Sequence, residues 1–141
     1  MAATLPDERL LLLAQEADEV PLLSGLMQGA IIATGDIAYD RRARRLVLLA
    51  TRYRWEAAGR TRIRTALRID SVTGVMRRGW TDLAADDQGI GLVELLACVV
   101  DGDVLTMTFA AGKAIRATIE CVDLLLEDVS PPWLAAATPA H

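Results

Sequence analysis

Residues 61–70 read Thr-Arg-Ile-Arg-Thr-Ala-Leu-Arg-Ile-Asp, with Ile63, Thr65, Leu67 and Ile69 at every second position and Arg62, Arg64, Ala66 and Arg68 alternating with them. A repeat of two is the geometry of an extended strand with one buried face, because successive side chains leave a strand on opposite sides. The run 46–55 carries Val47, Leu49, Thr51, Tyr53 and Trp55 at the same spacing, and Ala57-Ala58-Gly59-Arg60 supplies a turn between the two runs. They predict a β-hairpin with those two sets on its inner face.

A second hairpin follows the same rule. Leu105, Met107 and Phe109 alternate inward, as do Ile115, Ala117, Ile119 and Cys121 in a run over 114–126, around a loop in which Gly112 is free to take positive φ. Further strands are expected at 9–15, 31–39, 72–77 and 92–100. Only 18–30 changes to a helical period, with Val20, Leu23, Met27 and Ala30 at matching intervals, acidic Asp18 and Glu19 at its start and Pro21 in its first turn. The expected fold is therefore α+β: one amphipathic helix with about seven mostly antiparallel strands. The segments 63–67 and 115–119 also resemble each other, each following a strand and a glycine turn, which fits two related three-strand meanders. An Asp- and Gly-rich loop is expected at 81–91, an end to regular structure near Pro131-Pro132, and a frayed tail over 135–141.

The chain of 141 residues is read as a single domain over 1–141, long enough to bury about two thirds of its unfolded surface. Hydrophobic residues make up 52% but aromatic ones only 4%, so the core must be aliphatic. The N-terminal residues are acidic where a secretory signal is basic, and no apolar run reaches the ~18 residues that span a bilayer. A cytoplasmic location and no membrane partner are the expectations. Cys98 and Cys121 fall in strand contexts without metal-ligand spacing and read as buried thiols in a reducing compartment.

Charge is distributed unevenly. Residues 41–78 hold twelve arginines against Glu56 and Asp70, a local balance of +10, whereas the rest of the chain holds 17 acids against Arg9, Lys113 and Arg116, a balance of −14. With the apolar set of 46–55 inward, Arg52 and Arg54 project outward, joined on the partner strand by Arg62, Arg64 and Arg68. Pairing in phase sets Arg54 against Arg62 and Arg52 against Arg64, or shifts both by one pleat. Like charges directly opposite cost roughly 0.2–1 kcal/mol per pair, so five guanidiniums on one face require counter-charge. Three sources are open: internal carboxylates (Glu56, Asp70, Glu94, Glu120 or Asp123), an acidic protein partner including a second copy, or an external anion gripped by bidentate guanidinium forks.

Several segments resemble a family of small uncharacterised proteins found mostly in alphaproteobacteria: Leu26-Met27-Gln28-Gly29-Ala30, Gly35-Asp36-Ile37-Ala38-Tyr39, Arg52-Tyr53-Arg54-Trp55-Glu56, Ala114-Ile115-Arg116 through Glu120-Cys121, and Leu126-Glu127-Asp128 to Pro131-Pro132-Trp133. The resemblance spans nearly the whole chain, and Arg-Tyr-Arg-Trp-Glu is its most specific block. Family members tend to carry an acid at the position of Gly29 and a glycine at that of Lys113. The resemblance implies a single domain and no reaction.

Catalytic motifs are sparse. The sole histidine is the terminal His141, which removes His-dependent triads and histidine metal sites. Gly89-Ile90-Gly91 is too short for a phosphate loop, and Asp82, Asp86 and Asp87 lack the spacing of a calcium loop. A carboxylate pair such as Asp36 with Asp40 has nothing to favour it. No cofactor or metal is expected. The residues read as a noncatalytic binding or assembly module with an arginine face at Arg52, Arg54, Arg62, Arg64 and Arg68 for an acidic or anionic partner, self-association included. A small enzyme acting on an anionic metabolite is the alternative. RNA binding is a second, disfavoured by the net charge of −4.

Overall fold

The computed structural model describes residues 9–80 and 91–136. In chain order they form β1 (Leu11–Ala14), a 3-10 turn (Ala17–Glu19), α1 (Val20–Met27), β2 (Ala30–Asp40), β3 (Arg45–Tyr53), β4 (Thr61–Ile69), β5 (Val72–Arg78), β6 (Leu92–Asp101), β7 (Val104–Phe109), β8 (Lys113–Ile119), β9 (Leu124–Asp128) and β10 (Trp133–Leu134). The expected α+β class with one helix and antiparallel strands holds, with ten strands in one sheet instead of about seven.

The strand order is β1-β9-β4-β3-β2-β6-β7-β8-β5, with β10 also on β4. Two consecutive meanders, β2-β3-β4 and β6-β7-β8, meet along an antiparallel β2–β6 pair. The strand after each meander crosses to the other: β5 pairs with β8, and β9 pairs with β4. The sheet coils so that its inner faces share one core, in which Leu48, Leu67, Leu95, Leu105, Met107 and Leu126 are fully buried. Each such side chain contributes about 1.5–3 kcal/mol relative to exposure. Phe109, with Trp80 edge-on at 5.2 Å, is the ring buried in this aliphatic cluster.

The helix seals the core with Val20, Leu23, Leu26 and Met27. Its entry is fixed by Glu19, whose Oε1 accepts from the amides of Gln15 and Glu16 at 3.0 Å, and by Pro21 in the first turn. It is shorter than the apolar spacing implies, because Gly29 takes φ 79° and the chain turns into β2.

Three local expectations are corrected. The inner face of β3 is Leu46, Leu48, Ala50 and Arg52, not Val47, Leu49 and Thr51. Leu46-Val47-Leu48-Leu49-Ala50 is apolar on both faces and defines no phase, while Trp55 lies beyond the strand end. The expected continuous run 114–126 breaks into β8 and β9, at opposite sides of the sheet path. Cys121 falls in this break and is exposed, while Cys98 is buried. Regular structure also resumes after Pro131-Pro132 as β10, paired with Thr61 and Arg62.

Candidate anion-binding surface

Arg52 continues the inner face of β3 opposite Ile63 and has no exposed surface. Its Nε and Nη2 donate to Asp128 Oδ1 and Oδ2 at 3.0 and 2.8 Å, and its Nη1 and Nη2 donate to Glu56 Oε1 and Oε2 at 2.8 and 2.7 Å. Both carboxylates therefore engage the guanidinium with two oxygens, the geometry that makes a buried arginine tolerable. Asp128 Oδ2 also accepts from the Leu10 amide at 2.8 Å. Arg52 and Asp128 together thus tie β3, the loop after it, the end of β9 and the residue that precedes β1. Burial alone would lower the basicity of Arg52, but the two carboxylates outweigh it and hold its pKa above the ordinary value. Partial burial likewise pushes the Glu56 carboxyl up, and its hydrogen bonds with Arg52 prevail and hold it below the usual range.

The neighbouring block completes a clamp. Arg54 is buried and its Nη1 donates to Thr61 Oγ1 at 3.2 Å. Trp55 Nε1 donates to the Gln28 carbonyl at 2.9 Å, and its ring meets Tyr53 edge-on at 4.8 Å. Arg52 and Arg54 are therefore not on the outward face expected for them.

Arg62, Arg64 and Arg68 do share the outer face of β4, opposite Tyr53, Thr51 and Val47. Arg68 Nε donates to Asp70 Oδ2 at 3.0 Å, and Arg45 Nε occupies Oδ1 of the same carboxylate at 2.7 Å. Arg64 Nη1 donates to Thr51 Oγ1 at 3.0 Å and lies 3.7 Å from Asp36. The Arg62 guanidinium sits 6.0 Å from the Tyr53 ring centre, and its Nη1 has no hydrogen-bond partner among the described residues. Glu56 and Asp70 are thus used internally, as is Glu120, which pairs with Arg44. Asp36 and Asp128 join them without having been singled out as partners. The sequence shows which residues alternate but not which distant acid each arginine meets.

Other candidate groups are placed as follows. Burial pushes the Cys98 thiol up to about 12, so it is no nucleophile at neutral pH. Asp40 accepts from the amides of Arg42 and Ala43 in the β2–β3 turn, and Asp36 faces Arg64. No three His, Cys, Asp or Glu side chains gather as a metal site among the described residues. Asp82, Asp86, Asp87 and His141 lie outside them. No helix among the described residues is long and apolar enough to cross a membrane.

A family model described as "Protein of unknown function (DUF2948)" matches residues 10–141. The chain belongs to DUF2948. No curated protein and no solved structure matches it. The Arg52-Tyr53-Arg54-Trp55-Glu56 block, the most specific part of the resemblance in the sequence, forms the clamp between β3, β9 and the helix end of this DUF2948 chain. Its role here is to hold elements together. Of the five arginines expected on one face, Arg62, Arg64 and Arg68 are the three that share the outer face of β4.

Proposed function

We propose that this chain is a noncatalytic binding or assembly module that receives an acidic or anionic partner on the outer face of β3 and β4. The observation that carries the reading is a shortage of counter-charge: Arg45, Arg62, Arg64 and Arg68 share Asp70 and Asp36, and Arg62 has neither. A partner carboxylate or other anion beside Arg62 would relieve like-charge repulsion along that strand. Asp36 at 3.7 Å from Arg64 is a loose contact between half-exposed groups, so the partner displaces little to enter. The partner is an acidic protein segment or a second copy of this chain, whose remaining sequence is strongly acidic.

Titration of fluorescent poly-glutamate at low salt, followed by anisotropy, tests the reading. Arg62→Ala with Arg64→Ala is expected to weaken binding at least tenfold, and added salt to weaken it in the unaltered chain. Equal affinity in the double variant would defeat the assignment. Light scattering over concentration and salt decides between the second copy, which gives a salt-sensitive dimer, and a separate partner, which leaves a monomer.

A further inference from the structure

Val99, Thr106, Arg116 and Met76 form one row across the outer face of β6, β7, β8 and β5, each opposite the next. The row beside it sets Thr108 against Ala114 and Ala114 against Arg78. Arg78 and Arg116 therefore project from the same face on neighbouring strands, one pleat apart. With Arg77, Met76, Thr106 and Ala114 they line a cleft of about 480 Å³. No carboxylate lines it among the described residues, and Arg77, Arg78 and Arg116 make no ion pair there.

The two meanders supply an internal comparison. Arg64 and Arg116 occupy the third strand of their meanders, each directly opposite a threonine of the second strand, Thr51 and Thr106. In the first meander the guanidinium is satisfied at home, by Thr51 Oγ1 and by Asp36. In the second, the position keeps the arginine, gains Arg78 as a neighbour and has no matching acid among the described residues. Arg78 and Arg116 on one concavity repel each other, and no carboxylate among the described residues lies in it to offset them, while Arg77, opposite Ile115, leaves β5 on the other face.

We infer that this cleft is a binding site for a small organic ligand bearing phosphate groups. Guanidinium forks match phosphate oxygens with paired N–H donors, and two of them on one face suit a dianion better than a single carboxylate. The volume lies in the range of small-molecule sites, roughly 300–1,000 Å³. Thr106 offers a hydroxyl, while Met76, exposed to 73%, and Ala114 give an apolar wall for the organic part. This site is separate from the Arg62–Arg68 face and stands or falls without it.

Isothermal titration of the whole chain with inorganic pyrophosphate and with ADP at low salt is the test. Both probes are expected to bind at one site per chain. Arg116→Gln and Arg78→Gln, both at exposed positions, should each weaken binding at least tenfold. Arg64→Gln, the counterpart in the other meander, should leave it unchanged. Tighter binding of ADP would identify a nucleotide as the ligand class, and equal affinities a phosphate group irrespective of its carrier. Absence of binding by either probe, or an equal loss in Arg64→Gln and Arg116→Gln, would overturn the assignment, since the latter marks diffuse charge attraction and not a site.

Discussion

A guanidinium with no exposed surface would destabilise most cores, and Arg52 escapes this because four carboxylate oxygens surround it. Removing the cation reverses the balance. Arg52→Leu leaves the fully buried Asp128 side chain without a counter-charge, and breaking such a pair from one side costs about 3–5 kcal/mol. The double variant Arg52→Leu with Asp128→Leu should recover much of that loss, because apolar groups in place of a buried pair are often neutral. Urea unfolding of the three proteins reads both effects; equal stability of Arg52→Leu and the unaltered chain would show that the pair carries nothing. The second carboxylate on Arg52, that of Glu56, sets an acid limit. Glu56 has its pKa lowered by folding from 4.5, so its contribution is complete above that value and is lost as pH falls through the lower folded value. Stability should therefore decline below about pH 4.5, and less steeply in Glu56→Gln. The outward placement expected for Arg52 followed from alternation alone. Its partner Asp128 is 76 residues away, and no local pattern reports an acid at that distance.

At the level of elements, alternation was decisive where polar and apolar residues take strict turns. β4 buries Thr61, Ile63, Thr65, Leu67 and Ile69 as its spacing dictates. β3 has leucine, valine or alanine on both faces, and there the phase was set by tertiary packing, with Arg62, Arg64 and Arg68 covering the other side. The break between β8 and β9 was hidden for a related reason: Glu120, Cys121, Val122 and Asp123 hold no glycine or proline to mark a turn. Glycine does decide the exit from β5. Gly79 takes φ 79°, and a Cβ there would stand 2.6 Å from the Gly112 carbonyl oxygen, a backbone atom that cannot swing aside. Just beyond it Trp80 Nε1 donates to the Ala114 carbonyl at 2.8 Å, fastening β5 to β8. Gly79→Ala should therefore cost on the order of 1–3 kcal/mol, read as a lowered thermal midpoint. Gly25→Ala, where added carbon meets nothing within 4 Å, is the control and should be neutral or slightly stabilising. Equal midpoints for the two variants would show that the close approach is not enforced.

For the whole molecule, the exchange of fourth strands matters more than either meander. β5 leaves the first meander to pair with β8, and β9 leaves the second to pair with β4, so neither half can open without stripping a strand from the other. The buried cluster is shared as well, with Leu48 and Leu67 from one meander and Leu105 and Met107 from the other. This topology predicts a single cooperative unfolding step. Two tryptophans report on it: Trp55, held by the Gln28 carbonyl beside the first meander, and Trp80, held by the Ala114 carbonyl against the second. In a variant with Trp80→Phe and Trp133→Phe, the fluorescence of Trp55 should lose its native value at the same urea concentration as the far-ultraviolet circular dichroism. The complementary variant, Trp55→Phe with Trp133→Phe, should behave identically through Trp80. Comparing two probes within each variant removes any shift caused by the substitutions themselves. Fluorescence that departs ahead of the dichroism in either variant would mean that one meander opens alone, and that the crossed strands do not couple them.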